Sequence, residues 1–179
     1  RYLTLTHSCS TNWAKSASDS FSGPENGLSS FGVSVIRQMN RLGMLVDLSH
    51  TAPVTMRAVL NITQAPVIFS HSNAYEVCKS VRNVPDDVIL KVKQNGGIIM
   101  LTFMPSYVRD EERVAYEQIV RDNHGNYKQV KVAVREWQKN NSTLRATIDH
   151  VIDHIDHIKK LTGSVDHIGL GSDFDGTSG

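Results

Sequence analysis

Five strand-length apolar runs, most of them closed by a histidine or an aspartate, constrain this chain more than any other feature. Residues 1–6 end at His7, 44–49 at His50, 66–70 at His71 and 167–172 at Asp173, while 97–103 end near Pro105. The runs are rich in Val, Ile and Leu and alternate little, the pattern of strands covered on both faces in a parallel sheet. Helical patterns lie between them. Residues 30–42 carry apolar side chains at 31, 35, 36, 39 and 42, with Ser29 or Ser30 as N-cap and Gly43 as stop. Pro53 opens a second helix to Leu60, preceded by Thr51 and Ala52 as cap. Pro85-Asp86-Asp87 opens a third, to Gln94, ended by Asn95-Gly96-Gly97. A fourth is expected from a cap at Ser142 or Thr143 to Lys160.

Repeated βα units imply parallel strands with right-handed crossovers, which leaves a doubly wound sheet or a (β/α)₈ barrel. Polar residues at the C-terminal ends of several different strands favour the TIM barrel, because an open sheet concentrates its ligand contacts at one switch point. No glycine-rich phosphate loop follows any strand. The expected fold class is therefore α/β, a TIM barrel with about five of its eight βα units in residues 1–179. Residues 104–141 break the rhythm and read as an insertion with helix at 111–120 and 130–139. Both ends read as cut, so the chain is expected to be a piece of a longer protein.

With 19 Lys plus Arg against 18 Asp plus Glu, the net charge of +1 gives no pull toward nucleic acid or anionic membrane. No apolar run approaches the roughly 18 residues of a membrane helix. Two cysteines, Cys9 and Cys78, are too few for a disulfide framework. They could pair with each other, pair outside this stretch, or stay reduced. Sequons at Asn61, Asn140 and Asn141 lean weakly toward a secreted or membrane-anchored chain.

His7, His50 and His71 each close a buried strand run, and neutral imidazole is the commonest protein ligand for zinc. Pattern alone leaves a metal centre and three hydrogen-bonded structural histidines as equal alternatives. Asp173 can hold or shuttle a water's proton at a barrel mouth, with Asp175 two residues on facing the same way; the alternative is a turn cap. Arg82, in the loop after the His71 strand, could clamp a carboxylate with two parallel hydrogen bonds. Spacing alone favours a surface arginine before a helix. In Asp149-His150-Val151-Ile152-Asp153-His154-Ile155-Asp156-His157, the three histidines share one helix face, expected to be wet and roughly opposite the stripe of Ile148, Val151, Ile152, Ile155 and Ile158. No serine elbow or thiol-protease pattern is present.

Five motifs stand together: Tyr2-Leu3-Thr4-Leu5-Thr6-His7, Asp47-Leu48-Ser49-His50, Pro66-Val67-Ile68-Phe69-Ser70-His71-Ser72, Arg82-Asn83-Val84-Pro85-Asp86-Asp87 and Gly171-Ser172-Asp173-Phe174-Asp175-Gly176. In this order they resemble the membrane (renal) dipeptidase family over nearly the whole chain, and the excursion after Phe103 looks more like fungal or microbial members. The resemblance implies a zinc metallodipeptidase on a (β/α)₈ barrel with two bridged zinc ions. It implies that His50 and His71 ligate one zinc, and that His7 contacts the substrate near the scissile carbonyl. Arg82, helped around Tyr107, would bind the dipeptide's terminal carboxylate, and Asp173 would handle the proton passing from water to the leaving amine. The family's remaining ligands, a His-x-Asp pair and a bridging Glu, are expected upstream of Arg1, so the stretch alone is expected to be inactive. Cys9 resembles a cysteine bridged upstream, and Cys78 one whose partner near residues 107–109 is here not a cysteine. The implied partner is a dipeptide, without nucleic acid; a homodimer and a membrane anchor stay open. Two alternatives remain: another metal-dependent amidohydrolase acting on a cyclic amide or ester, and a non-catalytic binding relative.

Overall fold

A computed structural model describes residues 1–19 and 21–174. Five strands form one all-parallel sheet in sequence order: β1 (Tyr2–Thr4), β2 (Leu45–Asp47), β3 (Ile68–Phe69), β4 (Ile98–Leu101) and β5 (Ile168–Leu170). Register runs Leu3 to Val46, Asp47 to Ile68, Phe69 to Ile99 and Met100 to Gly169. Neighbours in sequence are thus neighbours in the sheet, so each crossover moves the chain one strand over in the same direction, and all strand C-termini end on one side. That is the wound α/β arrangement expected from the apolar runs.

Three crossovers carry one helix each. In α1 (Ser30–Leu42) the Ser29 hydroxyl accepts from the Gly32 amide and Gly43 closes the helix in the left-handed conformation. Ile36 and Met39 are its buried apolar face, while Phe31 and Leu42 stay exposed. Next, α2 (Pro53–Leu60) has Ala52 as N-cap and so no side-chain cap, since a methyl offers no acceptor; the Thr51 hydroxyl donates to the Leu48 carbonyl. In α3 (Asp86–Asn95) two acidic residues in the first turn complement the helix dipole. Ile36, Met56, Val59, Val88, Ile89 and Val92 from these helices pack against Val46, Leu48, Val67, Phe69, Ile99 and Leu101 of the strand runs.

The β4–β5 crossover is longer. It holds α4 (Pro105–Val108), α5 (Asp110–Asp122), α6 (Tyr127–Asn140) and a single 3₁₀ turn (Ser142–Leu144) before the crossover helix proper, α7 (Ile148–Thr162). The expected helix start at Ser142 or Thr143 is corrected: the turn there ends at Leu144, and α7 begins with Thr147 as N-cap in a capping box with His150.

The histidine face of α7 is corrected too. The buried stripe is Val151, His154, Ile158 and Thr162, at i, i+3, i+7 and i+11, whereas Ile148 and Ile152 are exposed. Helix α7 packs on α3 and also on α4, and the second contact covers the side that an isolated amphipathic helix would leave wet. His157 pairs with Asp86 at 2.7 Å, while His154 is fully buried. Burial pushes the His154 pKa from the ordinary 6.5 down to about 4. The unfolded chain therefore takes up a proton below pH 6.5 that the folded chain refuses. Stability fully present above pH 6.5 is lost as pH falls toward 4, on the order of 3 kcal/mol from this one group. Urea unfolding at pH 7 and pH 4.5 checks this: a His154→Gln variant should lose less stability over that interval than the parent, and equal losses would contradict it.

Candidate active site

A cleft of about 890 Å³ opens beside the C-terminal ends of the strands and gathers the six residues to which the resemblance gives a role. His7, His50, His71, Arg82, Tyr107 and Asp173 all line it. Asp175 lies outside the described residues. The strands bring these groups together from positions up to 166 residues apart (173 minus 7) because each run ends at the same rim.

His50 and His71 face each other. Their Nε2 atoms are 2.8 Å apart and their rings meet at 68°. His7 stacks on His50 with centroids 4.1 Å apart. Burial, then the positive charge of Arg82, drives the His50 pKa down to about 3, and the same two causes lower that of His71. Both rings are therefore neutral at neutral pH, the state in which imidazole binds a cation.

The orientation of His71 is set by Asp47, which pattern reading missed. Asp47 is fully buried and spends its oxygens on three strands. Oδ1 accepts from the amides of Ser49 and Ser70, at 3.0 and 2.9 Å. Oδ2 accepts from the hydroxyls of Thr4 and Ser70, each at 2.6 Å. A hydroxyl has one hydrogen, so Ser70 Oγ, having donated to Asp47, must accept from His71 Nδ1, 2.8 Å away. That leaves the lone pair of His71 on Nε2, facing His50. His50 Nδ1 is buried without a partner. The signal for Asp47 was in the sequence: a carboxylate inside a run of buried residues needs partners to offset its desolvation.

The backbone is strained at this rim. His50 and Asp173 have φ of 68° and 61°, and with His124 they are the positive-φ non-glycine residues among those described. Such conformations cost about 1–3 kcal/mol each and persist where the surroundings enforce them. Gly171 is required for another reason: a Cβ there would lie 1.8 Å from the Ser70 carbonyl oxygen, so only glycine lets β5 run past the His71 strand end.

The opposite wall is built around Arg82, which is 5% exposed. This corrects the surface placement that spacing favoured. Its Nη1 donates to the Tyr107 hydroxyl at 3.3 Å, and the guanidinium stands 5.1 Å from the centre of the Tyr107 ring. Nε and Nη2 are buried with no partner, and burial lowers the guanidinium pKa. The unpaired Nε–Nη2 edge has the spacing of a carboxylate's two oxygens. Arg113, Tyr116 and Glu117 of α5 complete the lining, so the excursion forms part of the cleft. No pattern in the sequence indicates this, since the contact depends on how α5 folds back.

Cys9 is exposed and Cys78 buried, and the two are not paired with each other. Burial pushes the Cys78 thiol up to about 12, and its Sγ lies 3.7 Å from the Ser106 carbonyl, beside the stretch where the resemblance puts a partner. Among the described residues no helix is long and apolar enough to cross a membrane.

Over residues 1–179 the sequence matches the membrane dipeptidase family, peptidase family M19. The chain belongs to that family. An uncharacterized dipeptidase of Schizosaccharomyces pombe is 44% identical over 177 residues, which are 98% of this chain and 35% of that protein. A metallo peptidase from Rhodobacter sphaeroides, solved with a phosphinate mimic of the dipeptide L-Ala-D-Ala, is 26% identical, with a TM-score of 0.73 over 99% of this chain and 43% of its own. A probable dipeptidase from Pseudomonas aeruginosa shares the fold at 20% identity and a TM-score of 0.77, covering 98% of this chain and 51% of its own. The chain thus spans about a third to a half of the relatives it matches. Family membership implies a metal cofactor. Among the described residues no group of three or more His, Cys, Asp or Glu could hold a metal ion. Two neutral, facing imidazoles, one with its tautomer fixed, fit part of such a ligand set.

Proposed function

We propose that the protein to which this chain belongs hydrolyses dipeptides with zinc, and that residues 1–179 supply five βα units of its (β/α)₈ barrel, residues 104–141 forming the insertion. The observation that carries this reading is the unpaired, buried guanidinium edge of Arg82 in the same cleft as two facing neutral imidazoles. An ion held by His50 and His71, together with ligands from outside this stretch, would polarise a carbonyl and lower the pKa of an attacking water. The chain's own residues then have separate tasks. Arg82, steadied by Tyr107, binds the terminal carboxylate and so fixes the scissile bond at one distance from the histidines. A longer peptide cannot place its carboxylate there, which favours dipeptides. His7, exposed and stacked on His50, can hydrogen-bond the oxygen that gains charge. Asp173 takes the proton from the attacking water and returns it to the leaving amine.

Support comes from family membership, from the Rhodobacter relative's phosphinate ligand and from the cleft itself. The test is an assay of the full-length protein on an alanyl dipeptide and the matching tripeptide, with metal analysis. Dipeptide cleavage, little on the tripeptide and about two zinc per chain is the expected result. Absence of both metal and turnover would favour a non-catalytic binding relative. By itself the 179-residue stretch should be inactive.

A further inference from the structure

We propose that His154 is a positioning residue for the carboxylate end of the cleft, because its ring ties the loop that carries Arg82 to the short helix that carries Tyr107. The inference rests on the reading of Arg82 as the carboxylate site.

His154 sits on α7, one crossover away from the residues it would serve, and its side chain is fully buried. The Ala74 amide donates to Nδ1 at 3.1 Å. Nδ1 therefore carries the lone pair, and Nε2 carries the hydrogen that is donated to the Val108 carbonyl at 3.0 Å. One rigid ring thus spans two backbone segments. Each segment leads directly to the cleft wall. Ala74 bridges to Val84, and the Val84 amide donates to the Asn73 carbonyl at 2.7 Å, two residues beyond Arg82. Val108 follows Tyr107, whose carbonyl accepts from Asn73 Nδ2 at 3.1 Å and from Asn83 Nδ2 at 2.8 Å. The Asn73 amide in turn donates to Asn83 Oδ1 at 3.0 Å.

Without His154, the two asparagines still hold Tyr107 to the loop at one end of this block. What is lost is the support behind it, where the Ala74 amide and the Val108 carbonyl would be left buried and unpaired. Small displacements there move Arg82 against Tyr107, and carboxylate binding suffers before any step at the histidines does. The ring must be neutral for this polarity, and burial keeps it so. A histidine that merely fills space would lower stability without favouring one kinetic constant over another.

The experiment uses the full-length enzyme carrying His154→Gln, Arg82→Ala, or both, assayed on an alanyl dipeptide with metal content measured alongside. The expected result for His154→Gln is a KM raised about 10-fold, kcat within about 2-fold and unchanged metal. In the Arg82→Ala background the same change should add less than about 2-fold to KM, since the interaction it supports is already gone. An unchanged KM in His154→Gln, an equal fall in kcat, or effects that multiply in the double variant would overturn the inference while leaving the Arg82 reading intact. An unchanged KM in Arg82→Ala alone would overturn both. Should His154→Gln fail to fold, the wild-type enzyme provides a second measurement. With ¹⁵N-histidine labelling, the His154 Nε2–H resonance should shift on saturation with a phosphinate dipeptide mimic, and shift less in Arg82→Ala. A resonance that does not move in the wild type would overturn the proposal.

Discussion

Arg82→Ala in the full-length protein should raise KM for dipeptides about 100-fold and change kcat far less. The side chain is 5% exposed and holds two unpaired donors, so its electrostatic interaction with a carboxylate takes place away from bulk water. Truncating one partner of a buried, hydrogen-bonded charge pair costs about 2–5 kcal/mol, or roughly 30-fold to several thousand-fold in affinity. Arg82→Lys should recover little, because an ammonium keeps the charge but cannot present two parallel donors. Steady-state kinetics on one dipeptide and on its C-terminal amide separate the terms: the amide, which lacks the anion, should respond little to the mutation. A KM that does not change would turn the reading toward a metal-dependent amidohydrolase whose substrate, a cyclic amide or ester, carries no free carboxylate.

His71→Ala should abolish measurable turnover, by about 1,000-fold or more, and should lower bound zinc per chain. His71 Nε2 and His50 Nε2 converge within 2.8 Å, so removing either leaves a single imidazole from this part of the protein. Ser70→Ala makes a graded companion. It removes the acceptor of the His71 Nδ1 hydrogen and leaves both rings in place, a kind of change that typically weakens metal affinity by 10–100-fold. Elemental analysis and chelator competition on the purified variants give the order expected: wild type tightest, Ser70→Ala intermediate, His71→Ala weakest. Full zinc occupancy and activity in His71→Ala would remove His71 from the ligand set.

The parts of this protein that could be read in advance share a physical cause. Runs such as 66–70 and 97–103 are apolar on both faces and bounded by Pro, Gly or Asn, so strand, direction and exit point followed together, and with them the position of each terminal histidine. Helix α7 was harder. Its isoleucines at 148 and 152 suggested the wrong inner face, because hydrophobic period reports one stripe while this helix answers to two neighbours. Arg82 looked like a surface residue because a short peptide segment carries no sign of what folds over it, here Tyr107 of α4. Asp47 was legible in principle, since a charge in a buried strand demands partners, and Ser49 and Ser70 stand ready at the next turns of the chain. The lining contributed by Arg113, Tyr116 and Glu117 had no local signature at all.

The left-handed backbone at residues 50 and 173 carries a lesson for anyone tempted to harden this protein against heat. Glycine relaxes that conformation and asparagine tolerates it, so a selection scored on melting temperature alone would drift toward those residues at both positions. On the roles proposed for these two residues, the winners would survive longer at the expense of activity, having traded an imidazole and a carboxylate for conformational ease.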